Sequence, residues 1–414
     1  MNNDIIQDIE RSCQRRKTHY TVHMPLPPSL KIAFYAPMKS PNHGVPSGDR
    51  YIAQLLIEAL QHARFKVELA SELRSWEGQG NIVEQKRIEG VGLKQGSELI
   101  EYYSRQPDSE KPDAWFTYHL YHKAPDWIGP MVSEALSIPY FVAEASMAPK
   151  QRNGKWKHGY DCSLKALKQA QAVFILNPND RDCLTQLADP KTHLVALKPF
   201  LKTSPHLSRK PELRRRIATE KNISENQYWL CCVGMMRRDS KLLSYLMLAD
   251  AMSLVERKDW QLLIIGDGPA QEEIKNAFGD KNNVHFLGVQ EKGYIEDCLH
   301  CSDIFLWPAI NEAFGMSVLE SLASGLPVIA GRTGGIAQIV EHEKTGILVD
   351  DIDAGKMAKA IDDILSCPTK IAEMSACSLT KYQTEHLLEN GAETLRKEIM
   401  RHLQPRAPFD NPKD

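Results

Sequence analysis

Asn311–Val349 reads NEAFGMSVLESLASGLPVIAGRTGGIAQIVEHEKTGILV, and it sets two carboxylates, Glu312 and Glu320, seven residues apart. The apolar run Ile304–Pro308 before it reads as a short buried strand. Met316–Ser324 carries Val318, Leu319 and Leu322 at helical spacing, with Gly325 placed to end the helix and Pro327 to forbid its continuation. Glu312 therefore sits in the loop at the helix mouth, and Glu320 lies about two turns further along. Backbone N–H groups at Gly315–Ser317 are the unsatisfied donors of a helix N-terminus, suited to a phosphate or a polarised hydroxyl. Two carboxylates beside free donors can grip a polyhydroxylated ligand, which is the chemistry of a nucleotide-sugar site.

Upstream, strands are expected at Tyr228–Val233, Gln261–Ile265, Val284–Leu287 and Ile304–Leu306, and downstream at Val328–Ala330 and Ile347–Val349, alternating with helical segments. Gly266–Asp267–Gly268–Pro269 is read as a tight turn after a buried strand. The N-terminal half repeats the plan: a strand at Lys31–Ala36, a Gly/Pro/Ser loop at Pro37–Gly48, an amphipathic helix from about Asp49 to Ala63, and a strand at Lys66–Ala70. Further strands are expected at Ala114–His119, Pro139–Ala143, Ala172–Leu176 and His193–Leu197. This alternation predicts an α/β chain of two doubly wound units. Thr203–Glu225 is charged and reads as a strandless connector.

The segment from Glu312 to Glu320 resembles the Glu-x7-Glu signature of retaining glycosyltransferases of the glycogen-synthase-like group, glycosyltransferase family 4. The match extends through Gln261–Val289 and, more loosely, Leu230–Ala249. The resemblance implies a GT-B fold, two Rossmann-like domains facing a central cleft, with a C-terminal helix crossing back to the first domain. The expected division is an extension at 1–29, an acceptor-side domain at 30–204, a nucleotide-sugar domain at 205–382 and the crossover helix and tail at 383–414. It also implies a nucleotide diphosphate sugar as donor substrate, no cofactor and no metal, with the acceptor unidentified. The alternatives are a nucleotide-sugar-binding module without turnover, or a GT-B sugar-nucleotide epimerase or phosphorylase.

Roles follow from the same resemblance. Glu320 corresponds to the glutamate that accepts from the two ribose hydroxyls, and a vicinal diol presents two donors matched to two carboxylate oxygens. Glu312 corresponds to the glutamate beside the transferred sugar, where a carboxylate stabilises oxocarbenium charge. Phe314, Gly315, Met316 and Ser317 frame the helix mouth. The loop after Val233 reads GMMRRDSK; the family places Arg directly after Gly234, where this chain has Met235, so Arg237 or Arg238 takes that role and Lys241 takes the lysine's. Val289 stands where the family holds the nucleobase by backbone groups. Gly48 closes a glycine loop whose N–H groups would face the diphosphate from the other domain. On the acceptor side, His119 ends a strand near the expected cleft, and Glu144 occupies the place of a family histidine, on a loop just after a strand.

The remaining features narrow the class. The chain has 414 residues and a formal net charge of −2, with no nucleic-acid footprint. Residues 1–202 carry 26 basic and 22 acidic side chains, and residues 203–414 carry 25 and 31, so the N-terminal half is the one expected to meet something anionic. Nine scattered cysteines favour a reducing compartment, and Cys298–x–x–Cys301 is read as buried helix rather than metal site. No apolar run reaches the roughly 20 residues that span a bilayer. The expectation is a cytoplasmic protein, with peripheral contact at the inner face of a membrane through the N-terminal domain.

Overall fold

The computed structural model describes residues 30–202, 210–312, 314–350 and 353–403. The extension at 1–29 and the tail beyond 403 lie outside the described residues. Twelve strands alternate with helices among them. The first sheet holds β1 (Lys31–Tyr35), β2 (Lys66–Ser71), β3 (Ala114–Tyr121), β4 (Tyr140–Ser146), β5 (Ala172–Ile175) and β6 (His193–Ala196). The second holds β7 (Tyr228–Val233), β8 (Trp260–Ile265), β9 (Val284–Gly288), β10 (Ile304–Trp307), β11 (Val328–Gly331) and β12 (Gly346–Val349). All pairings within them are parallel. Helices cover both faces of a parallel sheet, so its strands are apolar throughout, as in β8, β10 and β11, whose every residue is buried.

Strand order fixes where a ligand can enter. The first sheet runs β2-β1-β3-β4-β5-β6, and the second runs β12-β11-β10-β7-β8-β9. Each reverses direction beside its first strand, between β1 and β3 in one sheet and between β7 and β10 in the other. Loops leaving adjacent strands there diverge to opposite faces and open a crevice at the carboxyl ends. Gly48 and Asp49 follow β1, and His119 lies near the end of β3. Lys241 follows β7, and Glu312 follows β10.

Pro368–Glu385 and Leu388–His402 are two helices, broken where His386 is buried with its Nδ1 2.7 Å from Pro199 O. Leu387 pairs with Leu201 across the break. The second helix then returns to the first domain and packs on helix Gly48–His62, with Arg396 Nη1 donating to Ala63 O at 2.6 Å. Gly391 permits the approach, because a Cβ there would come within 2.3 Å of the Phe200 ring. Among its described residues the connector is strandless, as expected, and contains helix Lys210–Lys221, which Arg214 ties to the second sheet through Asp303 at 3.0 Å. No described helix is long and apolar enough to cross a membrane.

Candidate functional site

Helix Met316–Ala323 begins at Gly315, whose φ of +70° places it in the left-handed region, and no side chain caps the helix. A Cβ on Gly315 would meet Ile336 at 2.3 Å, so glycine is required for both conformation and space. The N–H groups at Gly315–Ser317 donate to no described residue. Phe314 and Met316 pack against the core beneath them, and Ser317 is half-buried.

Glu312 and Lys241 form an ion pair, both about five-sixths buried. Trp307 shapes the contact, since its Nε1 donates to the same Glu312 oxygen, Oε2, at 3.2 Å, while the Lys241 ammonium lies 4.8 Å from its ring centroid. Both bonds fall on Oε2, which leaves Oε1 without a hydrogen bond from any described residue. The ammonium carries three N–H donors, and one goes to Glu312. The pair is thus anchored and still has donors and an acceptor for a ligand.

The loop before Lys241 is held by glycine-dependent contacts. Gly266 (φ +138°) approaches so closely that a Cβ would lie 1.9 Å from Gly234 O. Met236 N donates to Asp267 O at 2.8 Å, and Tyr245 Oη donates to Gly234 O at 2.7 Å. The Gly-Asp-Gly-Pro turn is accordingly structural: it positions Gly234 and the cations after it. Those cations diverge. Arg238 turns to Pro269 O (3.2 Å) and Glu273 (3.4 Å). Arg237 pairs with Asp239 at 2.9 Å, and its charge also acts on Asp49 and Lys39 of the first domain.

Glu320 makes no side-chain hydrogen bond with a described residue. Burial pushes its carboxyl up to about 7, the Lys292 charge opposing and Glu296 adding to the rise. Lys292 is the bridge to the first domain, with its Nζ 3.1 Å from Tyr51 Oη and 5.0 Å from the ring centroid. Val289, after the left-handed Gly288, is 77% exposed.

Across the cleft, helix Gly48–His62 is capped by Ser47, which accepts from Arg50 N. Gly48 faces open space, with nothing within 4 Å of a Cβ. His119 and Glu144 lie together, but not as expected. Glu144 is inside β4 rather than on the loop after it, and His119 is inside β3 rather than at its end. Both have left-handed backbones (φ +64° and +59°), and the β3–β4 register skips both, passing from Tyr118↔Ala143 to Leu120↔Ala145. This strained pair of residues turns both side chains toward the strand ends, a geometry typical of functional positions. His119 Nδ1 lies 3.0 Å from Asp49 Oδ1, and Nε2 lies 3.9 Å from Glu144 Oε1. Burial alone would lower the imidazole pKa, but Glu144 and then Asp49 carry it up to about 9. Asp180, raised to about 6 by burial and by Glu144, completes the cluster.

Sequence reasoning missed Asp49, Tyr51, Asp180, Lys292 and Trp307. The signal for Asp49 was present, as the first-turn acid of the helix after the glycine loop. For the others, only the fold brings them to the cleft. Cys298 and Cys301 are buried free thiols in helix Lys292–Cys301. Among the described residues, one group of three could hold a metal ion: His193, Glu398 and His402. His193 opens β6, at the end of the sheet opposite the cleft, and Arg401 already occupies Glu398 at 3.0 Å.

The family described as Glycosyl transferases group 1 matches residues 227–367, which hold Lys241, Glu312 and Glu320. A D-inositol 3-phosphate glycosyltransferase of Rhodococcus erythropolis is 29% identical over 141 residues, 33% of this chain and 32% of its own length. A GDP-mannose-dependent phosphatidylinositol monomannoside mannosyltransferase of Mycolicibacterium smegmatis is 26% identical over 277 residues, 60% of this chain and 69% of that protein. The chain spans about a third of the length of the first curated relatives it matches. Sucrose-phosphate synthase of Thermosynechococcus elongatus superposes with a TM-score of 0.66 at 18% identity, covering 90% of this chain and 98% of that one. Anabaena HepE in complex with UDP and glucose superposes with a TM-score of 0.65 at 16% identity, covering 90% and 100%. The fold is GT-B, and residues 227–367 are similar to the glycosyl transferases group 1 family.

Proposed function

We propose that this protein is a retaining, metal-independent glycosyltransferase that moves a sugar from a nucleoside diphosphate sugar to an acceptor hydroxyl. The observation that carries this reading is the Lys241–Glu312 pair at the β7–β10 crevice, beside an uncapped helix N-terminus and opposite the crevice of the first sheet. The relatives named as glycosyltransferases, and the likeness to a protein solved with UDP and glucose, support it.

Each group then has a task. Glu320 accepts from the ribose diol in its carboxylate form, and the backbone at Val289 meets the base. The diphosphate lies against the N–H groups of Gly315–Ser317, with Lys241 and Arg237 taking the charge that grows on the leaving oxygen. Gly48 lets the first domain's helix N-terminus close from the other side. The bond between the anomeric carbon and the β-phosphate oxygen breaks, and the acceptor oxygen bonds to that carbon from the same face. The acceptor proton passes to the leaving phosphate. Glu312 Oε1 stabilises the oxocarbenium charge, while Oε2 stays with Lys241 and Trp307. Two protein cations fill the place of a divalent ion at the diphosphate. His119, held between Asp49 and Glu144, orients the acceptor or the sugar hydroxyls.

The test is nucleoside diphosphate release from a panel of UDP-, GDP- and ADP-sugars, with and without EDTA. Release from one donor, unchanged by chelator, is the expected result. Activity abolished by EDTA and restored by Mg²⁺ or Mn²⁺ would contradict metal independence. No release and no binding from the whole panel would sink the reading.

A further inference from the structure

Away from the cleft, three side chains able to ligate a metal converge on one point. His193 opens β6, the edge strand of the first sheet. Glu398 and His402 lie four positions apart on helix Leu388–His402 and so share one of its faces. Glu398 Oε1 lies 2.6 Å from His193 Nδ1 and 3.0 Å from His402 Nε2. The two imidazole rings meet edge to face with centroids 4.8 Å apart, and Phe141 packs on His402 in the same way at 5.8 Å. Glu398 is buried, but the group is open to an arriving ion. The His193 side chain is 42% exposed, and His402 lines an open cleft with Tyr140, Gln171 and Leu403.

Hydrogen bonding does not close this group. Arg401 Nη1 pairs with Glu398 Oε2 at 3.0 Å and lies 3.2 Å from His193 Nδ1. A ring nitrogen carries either a proton or a lone pair. With the proton, Nδ1 donates to Glu398 and confronts the Arg401 N–H. With the lone pair, it accepts from Arg401 and confronts a carboxylate oxygen at 2.6 Å. One contact is therefore unsatisfied in either tautomer, and a cation between Nδ1 and Oε1 relieves it by taking both lone pairs. Arg401 keeps Oε2, which leaves Oε1 for the ion.

The donor set selects the ion. Two imidazoles and a carboxylate suit Zn²⁺ or Co²⁺, whereas Mg²⁺ and Ca²⁺ prefer oxygen shells. Bonds of about 2.0–2.1 Å set tetrahedral ligand atoms roughly 3.3 Å apart. The three ligand atoms here all lie within 4.8 Å of one another, so shifts of about 1 Å per side chain admit the ion.

We infer that His193 Nδ1, Glu398 Oε1 and His402 Nε2 bind one Zn²⁺-class ion, which pins the last turn of the crossover helix to the edge of the first sheet. Each ring then carries its proton on the outer nitrogen, Nε2 in His193 and Nδ1 in His402, and water fills the fourth position. The site is independent of the glycosyltransferase reading. It stands at the end of the sheet opposite the cleft and takes no part in leaving-group chemistry.

The experiment starts from the full chain stripped with EDTA and dialysed free of it. Co²⁺ is added while visible absorption is followed, and Zn²⁺ is followed by calorimetry and thermal unfolding. About one equivalent of Co²⁺ should give the d–d bands of nitrogen and oxygen ligation, and Zn²⁺ should displace it. Zn²⁺ should raise the thermal midpoint, and Mg²⁺ should not. His193→Ala and His402→Ala should each weaken Zn²⁺ by about tenfold or more, whereas Arg401→Gln, which lifts a competing charge, should retain it. The quantity compared is the midpoint with ion less the midpoint in EDTA, so a variant that is only less stable does not imitate loss of the site. Absence of the Co²⁺ bands, or histidine variants that bind Zn²⁺ like the wild type, would overturn the inference. Thiolate charge transfer in the near ultraviolet would do the same, because the ion would then sit on the free cysteines.

Discussion

On the second sheet two cation–carboxylate pairs balance at the crevice: Lys241 meets Glu312, and Arg237 meets Asp239, while the Glu320 carboxylate has no hydrogen bond with a described residue. On the first sheet the charges do not balance. His119 stands between two carboxylates on a backbone forced to positive φ. On the proposed reading the donor side is set before a ligand arrives, its cations held in place by internal partners. The first-sheet side, acidic around His119, is then the one that a ligand completes. Preorganised charge lowers a barrier, whereas uncompensated charge selects a partner.

The sharpest way to break this contrast is Lys241→Ala. It removes a positioned cation and strands the Glu312 carboxylate, so turnover should fall by about 10²–10³, with steady-state kinetics as the check. A fall of less than about tenfold would mean that the pair is structural. Gly266→Ala should come next, because its Cβ would strike Gly234 O and adopt a disfavoured φ. A loss of about 3 kcal/mol of stability is expected in denaturant unfolding, and wild-type stability would show that the loop is not positioned as described.

The two glutamates should separate. Glu320→Gln should weaken nucleotide binding by about tenfold or more, while Glu312→Gln mainly lowers turnover. The wild-type pH profile sharpens the point. With the Glu320 carboxyl raised to about 7, its charged form gains population as pH rises from 6 to 8, so nucleotide affinity should rise through that window and flatten in Glu320→Gln. Calorimetry at several pH values decides it.

The smallest effect belongs to His119. Its folded pKa is raised to about 9, above the unfolded value of about 6.5. Its contribution to stability is therefore full below 6.5 and lost as pH rises through 9. The thermal midpoint should drop by roughly 2–4 °C over that range, and His119→Gln should lose this slope. An unchanged slope in the variant would remove His119 from the charged cluster.

How much of this was legible follows the same division. The donor site is carried by one continuous stretch, where Gly315, Glu312, Glu320 and Gly325 announce a loop, a helix and its end by local chemistry. Lys241 needed an inserted residue to be allowed for, and choosing Arg237 over Arg238 needed the fold, because the two differ only in which way they turn. The acceptor side is assembled from Asp49, His119, Glu144 and Asp180, which are 131 positions apart at the extremes. Its decisive feature is two left-handed residues inside parallel strands. No local preference of His or Glu signals such a conformation, so Glu144 was expected on a loop.

In the proposed retaining mechanism, the side paired as Lys241–Glu312 breaks the sugar–phosphate bond while a nucleophile approaches from the same face. Proton NMR of the first sugar released during slow hydrolysis of an α-linked nucleotide sugar, recorded before the free anomers equilibrate, is the decisive measurement. Retention makes the α anomer appear first; a β anomer appearing first would mean inversion and overturn the mechanism.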